Sequence, residues 1–207
     1  TVTGTQTEIG NSKNTFTYTA KDGTNLDNYR ITPDYGTLAV TGIKVEHHLQ
    51  NLDGGYDHIA ADDEIVGIDG RTVINQAYIT VGDTKLTNEY TGFTYFGSDT
   101  ETLTVFETPD SAQVLKLYYK RTQHTVKYLR GTQGTWSEEG DVHSEILYGA
   151  TTPEYSGPKD TENRPAGNAG YTFEKWEPQV AGTVTVDATY VAQWSADDDT
   201  KYTVEYY

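Results

Sequence analysis

Cysteine is absent from the 207 residues, which removes disulfide bonds, thiolate catalysis and sulfur-ligated zinc together. Methionine is absent too, even at position 1. With neither a signal peptide nor a terminal anchor, the sequence is expected to be an interior piece of something longer. No apolar run approaches the roughly 20 residues that a helix needs to span a bilayer, so no membrane insertion by this segment is expected. Basic residues are few, 15 against 31 acidic ones, and the net charge is −16. Such a surface repels phosphate backbones and anionic lipid heads, which excludes nucleic acid as a natural partner. A 3.6-residue apolar period is missing throughout, so at most one short helix per module is expected.

What is present is strand-forming. Seventeen tyrosines and a hydrophobic content of 35% make the chain too apolar and too aromatic for disorder. Tyr, Thr and Val suit a pleated, half-buried surface. The sequence also repeats weakly. KVEHHLQ from Lys44, TVKYLRG from Thr125 and TVEYY from Thr203 align on Val45, Val126 and Val204, roughly 80 residues apart. Each is preceded by a segment that reads as a final strand: YGTLAVTG (35–42), VLKLYYKR (114–121) and DATYVAQW (187–194).

Residues 122–124 therefore join the last strand of one module to the first strand of the next. With neither Gly nor Pro to reverse direction, and a reach of about 10–11 Å, this joint predicts an elongated tandem. Four pieces follow. Residues 1–42 are a partial β-sandwich-like repeat, 43–121 and 122–195 are two small modules, and 196–207 are a linker with the first strand of a further module. Within 43–121 the strand signals are 77–81, 92–96 and 101–106, with a turn at 107–110. Within 122–195 a loop over 149–170 and a hairpin-like end over 182–194 are expected.

These ends resemble known surface repeats. IKVEHHLQNLDGGYD, GFTYF and VLKLYYKR are similar to the mucin-binding-protein-like repeats of Gram-positive surface proteins, and KYTVEYY matches the same opening. HTVKYL, GYTFEKWEPQV and VDATYVAQW resemble the Listeria–Bacteroides repeat of internalin-type proteins. NTFTYTAKDGTNLDNYRITPDYGTLAVTG resembles the second half of an Ig-like surface repeat. The resemblance implies a mainly β chain of small β-grasp-like modules with an N-terminal partial Ig-like piece, extracellular and attached to a bacterial cell wall. It implies an adhesin stalk or ligand-binding repeat array, monomeric, with a host glycan, mucin or extracellular protein as partner. The alternative is an accessory segment of a surface enzyme acting on glycans or proteins.

Catalytic chemistry finds no support in the motifs. There is no nucleophile elbow, phosphate loop or dinucleotide fingerprint, and no enzyme activity or cofactor is expected. The closing strands 114–121 and 187–194 hold no Asn for a Lys–Asn cross-link. His47 and His48 are adjacent, so on a strand they face opposite sides. His47 shares the face of Val45 and Leu49 and stands where the other repeats have Tyr128 and Tyr206, which makes it a structural aromatic. His58, His124 and His143 are scattered without a zinc-binding pattern. The clusters Asp62-Asp63-Glu64 and Asp197-Asp198-Asp199 lack the alternating spacing of a calcium loop. No metal is expected, and a chelator should leave the melting temperature unchanged.

Among the aromatics, Trp194 shares a face with Tyr190 and Ala192. Strict alternation puts Trp176 with Thr172 and Glu174, whereas the GYTF-x-x-W resemblance implies a core position. Trp136, set in RGTQGTWSEEG, is the candidate binding residue. It could stack on a sugar ring, against the alternative that it covers the edge of its own module.

Overall fold

The structure is a computed structural model that describes residues 1–7, 10–40, 42–67, 80–81, 84–99 and 113–198. The strands expected at 101–106 and from 203, the turn at 107–110 and most of 77–81 lie outside them. The fold is mainly β. Helix among the described residues is confined to two single turns of 3-10 type, Leu26–Asn28 and Ala60–Asp62. The chain divides into two compact units, one of residues 1–89 and 95–120, the other of 90–94 and 121–207.

In the first unit, β1 (Gly10–Lys13) pairs antiparallel with β2 (Thr37–Val40). A five-stranded sheet follows, made of β3 (Gly42–Gln50), β4 (Tyr56–His58), β5 (Glu64–Gly67), β8 (Phe93–Ser98) and β9 (Gln113–Arg121). Between them, β6 (Thr80–Val81) and β7 (Thr84–Lys85) form a short ladder of their own. Strand β3 is long enough to take β5 along its first half and β4 along its second, both antiparallel. On its other side it runs parallel to β9, from Ile43 opposite Gln113 to Leu49 opposite Tyr119.

Alternation sorts the side chains of this parallel pair. Ile43, Val45 and His47 turn inward with Leu115, Leu117 and Tyr119, and all six are at most 1% exposed. His47 is thus a core residue. Its Nδ1 lies 2.9 Å from the Tyr119 hydroxyl and its Nε2 3.3 Å from the Asn88 side-chain amide nitrogen. Burial pushes its pKa below the ordinary histidine value, against the opposing pull of Glu64, Asp62 and Asp63. With the amide of Asn88 donating to Nε2, the neutral ring donates from Nδ1, a tautomer that needs no buried charge.

Residues 1–40 are built differently. Among the described residues none of their hydrophobic side chains is buried, and Val2, Tyr18, Leu26, Tyr29 and Ile31 are all exposed. A two-stranded ladder with so little apolar burial is marginal in water. We expect amide exchange in residues 10–40 to run ahead of that in 43–50 and 114–120 by orders of magnitude. Equal protection in both regions would show a stabilising contact of another kind.

The second unit holds a four-stranded sheet in the order β11-β10-β13-β12, with β10 Gln123–Leu129, β11 Asp141–Leu147, β12 Tyr171–Glu177 and β13 Ala188–Ala196. Strands β10 and β13, first and last, run parallel at its centre, and the flanking pairs are antiparallel. Val126, Tyr128, Trp136, Tyr155, Val184, Tyr190 and Ala192 form the core. Val126 and Tyr128 hold the sheet positions that Val45 and His47 hold in the first unit, next to the closing strand and buried.

A bulge overturns the strict alternation that places Trp176 with Thr172 and Glu174. Register in the β12–β13 ladder shifts between Phe173 and Lys175, so that Phe173 sits opposite Trp194 and Trp176 opposite Ala192. The extra residue re-phases the strand. Phe173 and Trp176 then meet with ring centroids 5.1 Å apart, and both pack on the core. The expected hairpin over 182–194 is also replaced. The backbone of Val184 bonds to Gly149 and Ala150, so the approach to β13 is tied to the 149–152 loop.

Tyr128 is at the middle of this core, and burial raises its pKa from 10.0 to about 12. Burial pushes Tyr155 up as well. Because the folded value lies above the unfolded one, the stabilisation is complete below pH 10 and is lost as pH climbs towards 12. All three tryptophans lie in this unit, so their fluorescence should report alkaline unfolding in that window. Tyr128→Phe should make the loss shallower, and an unchanged profile would assign it to other groups.

Candidate functional site

The outer face of the first unit's sheet collects the chemistry that its inner face excludes. A five-residue turn, Asn51 to Gly55, joins β3 to β4. The Asn51 side-chain oxygen accepts the backbone N–H groups of Asp53 and Gly55 at 3.2 and 2.8 Å, and Gly54 takes a φ of 88° that favours glycine. This turn sets the register: Gln50 opposite Tyr56, Leu49 opposite Asp57, and His48 opposite His58.

The two imidazoles stack with centroids 4.9 Å apart and planes 16° from parallel. Tyr118 flanks His48 at 5.4 Å and Tyr56 at 4.9 Å. Two residues before His48, on the same face, Glu46 places Oε2 3.3 Å from His48 Nε2 and 4.0 Å from His58 Nε2. Asp63, at the exit of the Ala60–Asp62 turn, places Oδ1 2.6 Å from His58 Nε2. Lys44 closes the group from the far side, its ammonium 2.8 Å from Glu46 Oε1 and 2.8 Å from Asp63 Oδ2.

Each carboxylate therefore gives one oxygen to Lys44 and turns the other to the imidazoles. The Lys44 hydrogen bond holds the Glu46 carboxyl below the usual carboxylate range, despite partial burial. Burial alone would raise Asp63, but its bonds from Lys44 and His58 outweigh that and lower it. The same two carboxylates, Asp63 first, raise Lys44. The result is two imidazole Nε2 atoms and carboxylate oxygens converging on one place, with both carboxylates ionised.

Spacing along the chain and the adjacency of His47 and His48 do not reveal this cross-strand set. Counting outward from the Asp53-Gly54-Gly55 turn was the signal available: it makes His48 and His58 direct neighbours.

The other singled-out residues lie elsewhere. His124 meets Thr122 Oγ1 at 2.9 Å and Asp187 at 3.4 Å, and His143 meets Asp141 at 3.1 Å. Asp197 accepts the Thr172 hydroxyl at 2.7 Å. Trp136 is in the core, 8% exposed. Its indole N–H donates to the Tyr128 carbonyl at 3.0 Å, and Tyr155, Trp176 and Trp194 surround it at centroid distances of 4.9 to 6.1 Å. No ring face is left for a sugar. Trp176 is half-buried and borders a surface depression lined also by Lys175, Glu177, Gln179 and Val180.

No helix among the described residues is long and apolar enough to cross a membrane. No family model and no curated protein matches the chain.

Proposed function

We propose that this chain is a non-enzymatic, tension-bearing segment of a bacterial cell-surface protein, a stalk or ligand-binding array of β-grasp-like modules. One observation carries the reading. In both units the first and last strands of the main sheet run parallel and side by side. The chain therefore enters β3 at one end of its sheet and leaves β9 at the other, and the same holds for β10 and β13. Tension along the chain loads the interstrand hydrogen bonds in shear, all together, rather than one at a time. The β3–β9 pairing spans seven residue pairs, so many bonds must fail in a single event.

The test is single-molecule pulling in two geometries. Cysteine handles have unique positions here, since the chain has no cysteine of its own. Handles at the chain termini apply shear. Handles at Asp53→Cys and Gln123→Cys, both exposed, lie towards the same end of the β3–β9 pair and peel it open. The shear geometry is expected to need clearly higher force. Equal force in both would remove the tension-bearing reading. Ligand binding is tested separately with a glycan, mucin and extracellular-protein panel. An absence of binding to it would leave a stalk and take the adhesin role from this segment.

A further inference from the structure

We propose that the β3–β4 hairpin binds one divalent transition-metal ion of the zinc class through His48 Nε2, His58 Nε2 and Glu46 Oε2, with Asp63 Oδ1 beside His58. The ligand atoms of Glu46, His48 and His58 all lie within 4.8 Å of one another. A tetrahedral ion with bonds near 2.0–2.2 Å holds its ligands roughly 3.3 Å apart. Glu46 Oε2 lies 3.3 Å from His48 Nε2 and 4.0 Å from His58 Nε2, close to that figure.

Three further features favour an ion here. The two histidines sit in register on a hairpin whose turn is fixed by Asn51, so the ring positions are set by the backbone. Lys44 holds the far oxygens of both carboxylates, which orients the near ones as an outer-shell partner does in metal sites. With neutral imidazoles the five side chains sum to one negative charge, so a dication is not repelled. Access runs past His58, whose side chain is 34% exposed, while Glu46 and His48 are 13% exposed and keep bulk water partly away. Two nitrogen donors select zinc, cobalt, nickel or copper over calcium and magnesium, which prefer all-oxygen shells.

The experiment uses the full chain, stripped with chelator and exchanged into chelator-free buffer. Cobalt(II) should give the intense visible bands of a tetrahedral centre. Zinc titration by calorimetry should saturate at one ion per chain and raise the melting temperature by several degrees at about 100 times Kd, while excess calcium or magnesium changes neither result. His48→Ala and His58→Ala should each weaken zinc by roughly 100-fold or more, since even outer-shell losses cost 10–100-fold. His143→Asn, in the separate Asp141 pair, should change nothing. His58 is partly exposed, so His58→Ala should keep the amide protection of β3 and separate ligand loss from misfolding. Absence of both the cobalt bands and the zinc heat would overturn the proposal. So would full-strength binding in the His48→Ala/His58→Ala double variant, which would assign the ion to the acidic surface at large.

Discussion

Replacing Tyr128 with alanine is expected to cost the second unit about 3–5 kcal/mol, a large part of the stability of a domain that has roughly 5–15 kcal/mol in all. The ring is 1% exposed and touches Trp176 at 4.8 Å, Tyr190 at 5.4 Å and Tyr155 at 6.0 Å. Its neighbours in the core include the rings of Trp136, Tyr155, Trp176 and Tyr190 beside Val126, Val184 and Ala192. Large rigid rings cannot close over the vacated space as aliphatic chains can, so the cavity term should be near its upper end. The Tyr128 hydroxyl also donates to the Pro153 carbonyl at 2.5 Å, which ties the loop after β11 to the sheet. Tyr128→Phe should lose only this bond, about 1 kcal/mol. Tryptophan fluorescence in a denaturant titration separates the two. If the alanine variant unfolded within about 1 kcal/mol of the parent, the aromatic cluster would not be what holds the unit together.

Tyr119→Ala should do comparable damage in the first unit, about 3–5 kcal/mol, with an added polar penalty. Tyr119 is 1% exposed and its pKa is raised by burial to about 12. Its hydroxyl accepts the Asn88 backbone N–H at 3.0 Å and meets His47 Nδ1 at 2.9 Å. Truncation thus opens a cavity and withdraws a partner from one buried and one half-buried donor. Tyr119→Phe keeps the ring and isolates the polar part, roughly 1–3 kcal/mol. Amide exchange at Ile43 and Val45 reads the outcome, because those residues share the buried face with Tyr119. Unchanged protection in Tyr119→Ala would mean that β3 is held by its antiparallel neighbours alone.

The sequence was most legible where a strand has one buried face and no irregularity. The alternation in IKVEHHLQ, VLKLYYK and TYVAQW predicts which residues of β3, β9 and β13 are inside, and His47 falls with Val45 as its period requires. Legibility failed where a fact about two strands was needed. Trp176 changes face because one extra residue is accommodated in β12, and nothing local in YTFEKW announces the bulge. Trp136 looked accessible because glycines flank it at Gly134 and Gly140. Those glycines instead let the loop fold closely: a Cβ at Gly134 would lie 2.7 Å from the Trp136 ring, and one at Gly140 would lie 2.8 Å from the Tyr128 carbonyl. The His48–His58 pair was hidden for the same reason as the bulge. Each residue is unremarkable on its own strand, and only the register of the hairpin makes them one group.

The parallel placement of first and last strands also fixes the order in which each unit can be finished. Ile43 must find Gln113, and Val126 must find Ala188, partners roughly 60–70 residues apart in the chain. Antiparallel hairpins such as β3–β4 can form from local contacts within microseconds, but the central ladder needs a long loop closed first. During synthesis the middle of the sheet therefore stays open until the final strand has emerged, with the apolar face of β3 or β10 exposed meanwhile. Each unit becomes a cooperative whole only with its last nine or so residues, which makes a chain truncated just short of β9 or β13 the species most prone to pair with a neighbour's edge.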